Sequence, residues 1–192
     1  ITPANFNWTG GELEFLGDFR IDNTGANIPF GASMTVAAGQ SLDVGPTGGD
    51  LEIGTAGQGS LTITNGTVTS DTARVGGGLA LAGSANVTVS GTTGRWNVEG
   101  NLTAGGLIAL NPTSITVTTG ADVVVVDAFI GAPGLRANVT IDGVGSSLVS
   151  SDSVFLGGDA TTGGGQGTLA LTNSAILGVG NSSNDQLKVW DD

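Results

Sequence analysis

Histidine, cysteine and tyrosine are absent from this sequence, and basic residues number only five. Without histidine there is no nucleophile–histidine relay and no imidazole metal site. Without cysteine there is no disulfide staple and no thiolate ligand. The five bases, Arg20, Arg74, Arg95, Arg136 and Lys188, are scattered along the chain. Binding to phosphate backbones needs them clustered, so nucleic acid is excluded as a partner. Seventeen acids give a formal charge of −12, which an anionic membrane surface would repel. The longest apolar run, VVVV at 123–126, stops at Asp127 and falls far short of the ~20 residues of a membrane span, so membrane insertion is not expected. No signal peptide is visible at Ile1, so an exported protein would appear here as a mature chain or a segment of a longer one.

What the chain does have is glycine, 35 residues of 192, with β-branched residues, Ser and Asn. With 39% of residues apolar and 11% charged, it is too hydrophobic for a disordered chain. That mixture reads as many short strands joined by tight turns. No stretch combines helix-forming composition with apolar spacing of three and four.

Two motifs recur in phase. Alternating strands ending in a small residue occur as MTVAAG (34–39), LTITNG (61–66), VTVSG (87–91), ITVTTG (115–120), VTIDG (139–143) and LALTNS (169–174). Apolar triplets, LEIG (51–54), ARVGG (73–77), LTAGG (102–106), FIGA (129–132) and VFLGG (154–158), fall between them. The first series closes at 39, 66, 91, 120, 143 and 174, a repeat of 23 to 31 residues. TVTS, RWNV, DVVVV and SSLVS supply a third strand. A unit this small cannot bury its own apolar side and must stack on its copies. It is also too short for a four-stranded propeller blade.

The expected fold is therefore all-β: a right-handed parallel β-solenoid with about seven to eight coils of roughly 26 residues. Residues 1–192 form one solenoid domain in this reading, with an irregular N-terminal part at 1–33, regular repeats at 34–174 and a C-terminal coil at 175–192. Met34/Val36, Leu61/Ile63, Val87/Val89, Ile115/Val117, Val139/Ile141 and Leu169/Leu171 should face inward, with Thr35, Thr62, Thr88, Thr116, Thr140 and Ala170 outward between them.

The stretches GQGSLTITNGTVTSDTARVGG (57–77), GTTGRWNVEGNLTAGG (91–106) and GVGSSLVSSDSVFLGG (143–158) resemble the repeats of bacterial autotransporter passenger domains. They are equally similar to repeats of large secreted proteins with a PEP-CTERM-type sorting tail, and NFNWTGGELEF (5–15) resembles a phrase found between such repeats. The resemblance implies export, a parallel β-solenoid, and surface, adhesive or matrix roles.

Chemistry is sparse. Glu12/Glu14, Asp50/Glu52 and Asp122/Asp127 are the carboxylate pairs a glycosidase could use, but exposed acids on a rod account for them, and the chain reads as not an enzyme. No cofactor is expected apart from calcium. Asp50 in GPTGGDLE (45–52) and Asp159 in GGDATTGGG (157–165) lie in glycine-rich turns that offer calcium oxygen ligands, although a turn aspartate also bonds its own backbone. Asp191 and Asp192 are weaker candidates. The threonine column raises an ice-binding reading, which Ala37, Asp142 and Ala170 interrupt. Sequons at Asn7, Asn65, Asn86, Asn101, Asn138 and Asn181 arise freely in so Thr/Asn-rich a chain. Trp96 in RWNV fits an inward position.

The expectation is an exported, non-enzymatic structural protein, extracellular or on the bacterial cell surface. It would serve as a self-assembling fibre or matrix subunit or an adhesin stalk. The alternative is a carbohydrate-binding or carbohydrate-cleaving solenoid. Its expected partner is itself, stacked head to tail into a filament, because neither end reads as a capping helix and LKVWDD reads as the start of another strand. Pro3, with no N–H to donate, and Asp191/Asp192 would either blunt the ends or meet the next copy. Surface glycans are the second partner class.

Overall fold

A strand that alternates apolar and polar residues has one side to bury, and a stretch of three to seven residues cannot bury it alone. The computed structural model of the chain, which describes residues 8–24, 31–46, 48–77, 84–106, 113–180 and 182–191, resolves this by winding the strands into a β-solenoid. The first turn is β1 (Gly11–Phe15), β2 (Phe19–Ile21) and β3 (Ser33–Val36). The second is β4 (Gln40–Val44), β5 (Asp50–Ile53) and β6 (Gly59–Thr64). The third is β7 (Thr67–Ser70), β8 (Thr72–Val75) and β9 (Ala85–Ser90). The fourth is β10 (Arg95–Val98), β11 (Leu102–Ala104) and β12 (Thr113–Thr118). The fifth is β13 (Asp122–Val125), β14 (Ala128–Ile130) and β15 (Arg136–Asp142). The sixth is β16 (Ser147–Ser150), β17 (Val154–Leu156) and β18 (Gln166–Thr172), after which come β19 (Ile176–Val179) and β20 (Leu187–Val189).

Each strand pairs with its equivalents in the turns before and after, giving three sheets. Sheet A runs β1-β4-β7-β10-β13-β16-β19, sheet B runs β2-β5-β8-β11-β14-β17-β20, and sheet C runs β3-β6-β9-β12-β15-β18. Every strand pair is parallel. The described residues make six complete turns and two strands of a seventh, just under the seven to eight expected. The described residues contain no helix, so none is long and apolar enough to cross a membrane.

The core follows the alternation. Met34–Leu61–Val87–Ile115–Val139–Leu169 and Val36–Ile63–Val89–Val117–Ile141–Leu171 stack in register on sheet C, as expected. Sheet A contributes Leu42–Val68–Trp96–Val123–Leu148–Leu177, and Trp96 is fully buried. Sheet B contributes Phe19–Leu51–Ala73–Leu102–Ala128–Val154. The two ends differ. In the first turn Phe19 and Ile21 are buried, with Trp8 packed against the core, whereas Leu187 and Val189 of β20 are 49% and 66% exposed.

Sharp corners demand unusual backbone. Between sheets C and A the chain turns through left-handed residues in successive turns: Asn65 (φ 55°), Gly91 (86°), Thr119 (57°), Gly143 (95°) and Asn173 (53°). Asparagine tolerates this conformation, but a β-branched residue there is an outlier. Thr119 Oγ1 accepts the N–H of Gly91 in the turn below at 3.0 Å, an interaction that helps hold it. At the corner between sheets B and C, Gly131 has φ 67°, and a Cβ there would lie 2.3 Å from the Gln166 carbonyl oxygen. In the first turn, the residue directly after the sheet B strand is Asp22, which is fully buried. Its Oδ1 accepts from the Thr24 N–H (2.9 Å) and hydroxyl (2.7 Å), and its Oδ2 lies 3.8 Å from Arg20 Nε. Ser70 Oγ and Trp96 Nε1 are buried and make no hydrogen bond among the described residues.

The inward and outward assignment gives a direct test. Ile63→Asp or Val117→Asp places an unpaired charge in a continuous apolar ladder and is expected to abolish the β-rich circular dichroism spectrum. Thr62→Asp or Thr116→Asp, one residue away on the outer face, is expected to cost no more than about 1 kcal/mol in thermal melts. Equal sensitivity of the two faces would refute the assignment.

Candidate functional site

The outside of the rod is divided by chemistry. At the corner between sheets A and B every turn places an acid: Asp18, Asp50, Asp71, Glu99, Asp127 and Asp152, then Asp185 before β20. Several of these carboxylates tie one turn to the next. Asp18 Oδ1 accepts the Asp50 N–H at 3.1 Å, Asp50 accepts the Thr72 hydroxyl, and Asp127 Oδ1 accepts the Ser153 N–H at 3.0 Å. Crowding has an electrostatic consequence at Asp127. Burial pushes its carboxyl above the usual range, the Ser153 N–H partly offsets this, and the negative charges of Asp152 and Asp185 push it up further.

Three of the five bases, scattered in sequence, fall in one outward column of sheet B: Arg20–Glu52–Arg74–Thr103–Phe129–Phe155–Lys188. Arg20 pairs with Glu52, and Arg74 Nε lies 3.7 Å from Asp50 Oδ2. Phe129 and Phe155 stack with ring centres 5.0 Å apart. Lys188 Nζ sits 4.0 Å from the centre of the Trp190 ring and donates to the Ala160 carbonyl at 2.9 Å.

The glycine-rich segment 157–165 folds back on that tryptophan. Asp159 Oδ1 accepts the N–H groups of Thr161 (2.8 Å) and Thr162 (2.7 Å), so the aspartate closes its own turn. The Trp190 indole N–H donates to the Asp159 carbonyl oxygen at 2.8 Å. A Cβ at Gly158 would lie 2.3 Å from Trp190 Cδ1, so close seating of the indole needs glycine there. Those turn N–H groups hold the Asp159 carboxyl below the usual carboxylate range, with Lys188 adding to the effect. Asp142 is lowered too, by the Thr172 hydroxyl and the Asn173 amide.

The two residues considered for calcium are thus placed apart. Asp50 opens β5 and Asp159 follows β17, with β8, β11 and β14 between them in sheet B. Among the described residues no group of three acids is arranged to hold a metal ion. Of the carboxylate pairs, Glu52 bonds Arg20 and Thr55, and Asp122 accepts the Ser147 hydroxyl at 2.6 Å and lies 3.5 Å from Arg95. Pro3, Asn7, Asn181 and Asp192 lie outside the described residues. The acidic corner and the basic column were not apparent in the sequence. The one available signal was an acid one to three residues before the first inward residue of each sheet B strand.

No family model matches the chain, so the passenger-type and PEP-CTERM resemblance has no family match behind it. No solved structure matches either. Over 168 residues, 87% of the chain, the sequence is 30% identical to a Dickeya dadantii (strain 3937) protein named Deoxyribonuclease CdiA. The chain spans 4% of that protein's length. This relative corrects the reading of the chain as not an enzyme, since the protein to which it is 30% identical carries an enzyme's name. The physical reason is one of scope. Composition excluded histidine- and cysteine-dependent catalysis within these 192 residues, and a repeat segment says nothing about chemistry elsewhere in a longer protein.

Two carboxylates give opposite pH signatures. Asp127, with its folded value raised, penalises the folded state while ionised, and the penalty is relieved as pH falls through that value. Asp127→Asn is therefore expected to raise the melting temperature at pH 7 and to give no gain near pH 3. Asp159, with its folded value lowered, contributes fully above the ordinary carboxylate range and loses that contribution as pH falls through its lower value. Acid titration should shift Trp190 emission, read as the difference between wild type and Trp190→Phe. Asp159→Ala should give the acid-form emission at neutral pH.

Proposed function

We propose that this chain is a single-domain length of rod from an exported bacterial surface protein, where it acts as a stalk or matrix element. The observation that carries the reading is the in-register stacking of three parallel sheets over six turns, a form suited to setting distance. Likeness over most of the chain to a small part of a much longer protein is consistent with a rod segment in a large molecule. In that setting the rod would hold another part of the protein away from its anchor, and the relative's name suggests a DNA-cleaving activity as one such part.

Stacking with copies of itself end to end belongs to the same reading. It is supported by exposed apolar residues on the last described strand of each sheet, Leu171 on β18, Ile176 on β19, and Leu187 and Val189 on β20, each of which has an open edge. The contact would set that edge against the Trp8-covered first turn of the next copy.

An epitope inserted between Thr161 and Thr162, both exposed, tests the location. Intact producing cells, or their medium, are expected to bind antibody, and labelling only after lysis would refute export. Deleting 67–94 removes one turn, because Arg95 occupies the register position of Thr67 on sheet A. The shortened protein should still fold, with a rod shorter by about 4.8 Å in small-angle scattering.

A further inference from the structure

We infer that the outer face of sheet C is a lateral docking surface for a second copy of this chain. Charge is the first ground. The chain carries −12, and acids occupy the A–B corner in every turn as well as Glu12, Glu14 and Asp43 on sheet A. The outward positions of sheet C hold two charges, Arg136 and Asp142, both on β15 and opposite in sign. Two such polyanions repel each other most on the acidic sides and least on this one.

The second ground is unspent hydrogen-bonding capacity. The outward central column, Thr35–Thr62–Thr88–Thr116–Thr140, lies in register across five turns. The flanking columns bond within themselves, as in Ser114 Oγ to Asn86 Oδ1 at 2.7 Å, Thr64 with Ser90 at 3.2 Å and Thr172 to Asp142 at 2.6 Å. The five central threonine hydroxyls make no side-chain hydrogen bond among the described residues. A hydroxyl both donates and accepts, so a ladder of them can meet its own copy across a two-fold axis, the isologous arrangement of most dimers.

Area sets the strength. Six strands at about 4.8 Å by about 17 Å of strand give roughly 500 Å² per copy, or roughly 1,000 Å² for the pair. That lies at the lower edge of specific interfaces, so one pair of these rods associates weakly. The contact gains with each added turn, because the face repeats with the rod. End-to-end stacking lengthens a rod, whereas this contact thickens it, so the two are separable.

Sedimentation velocity and the small-angle scattering cross-section, measured up to about 1 mM protein in low and high salt, test the inference. Pairing side by side is expected to double the cross-sectional mass, and to strengthen with salt as the −12 charges are screened. Thr88→Glu with Thr116→Glu should weaken pairing at least about tenfold, through like charges facing across the axis. Its circular dichroism and melting temperature should remain close to wild type. The charge-matched control Thr67→Glu with Thr69→Glu, on sheet A, should pair as wild type does. A single-rod cross-section under all conditions overturns the inference, as does pairing that ignores the sheet C glutamates. Growth in length at constant cross-section also overturns it and assigns association to the ends. A rod that stays single yet is retarded on cross-linked dextran, and loses retardation with the sheet C glutamates, overturns it in favour of a neutral glycan.

Discussion

Register between equivalent strands of successive turns is the constraint on which this molecule depends. No single turn has a core, since its strands are three to seven residues long and each offers only one or a few inward side chains. Burial is completed only when the next turn lies directly over the first. A slip of one residue would turn Leu61, Val87 and Ile115 outward and bring Thr62, Thr88 and Thr116 in. The same constraint reaches the corners. Because strands above and below must stay aligned, the chain turns at the same place in every coil, and it accepts Thr119 in a left-handed conformation there.

This explains which parts of the structure could be read from sequence. The alternation in β6, β9, β12 and β15 declares an inward face, and its repetition declares stacking, so the sheet C ladders were legible residue by residue. The acidic corner was not. Asp18 and Asp127 stand one residue before the inward start of their sheet B strands, Asp71 and Asp152 two before and Glu99 three before, so no fixed spacing marks them. They align because loops of different length all return to one register. Arg20, Arg74 and Lys188 are separated by long stretches of sequence and share a column only once β2, β8 and β20 occupy one sheet. Asp159 was legible as a turn residue, but its seating under Trp190 depends on the next turn.

Register fixes the interior and leaves the exterior free. An inward position must be apolar and fit its column, but an outward one meets only its neighbours above and below and the solvent. The three sides have accordingly diverged. Sheet A and its corner with sheet B are acidic. Sheet B passes from Arg–Glu–Arg pairing to stacked phenylalanines and then to lysine on tryptophan. Sheet C is hydroxylated and without net charge. Where a protein stores its shape in the alternating inward half of each strand, composition can exclude chemistries but cannot locate a surface.

Length turns these per-turn differences into properties of the rod. A charge of −12 over just under seven turns is roughly two negative charges per 4.8 Å of axis. Repulsion between such rods grows with every turn added, because each brings its own corner acid within a Debye length of about 8 Å of those on a neighbouring rod. A neutral side grows by the same increment. Lengthening a solenoid of this pattern therefore sharpens the contrast between the sides, and approach from the acidic ones becomes steadily less favourable than approach from sheet C. The arrangement that winds the core also gives a longer rod a preferred side of contact, with no residue added for that purpose.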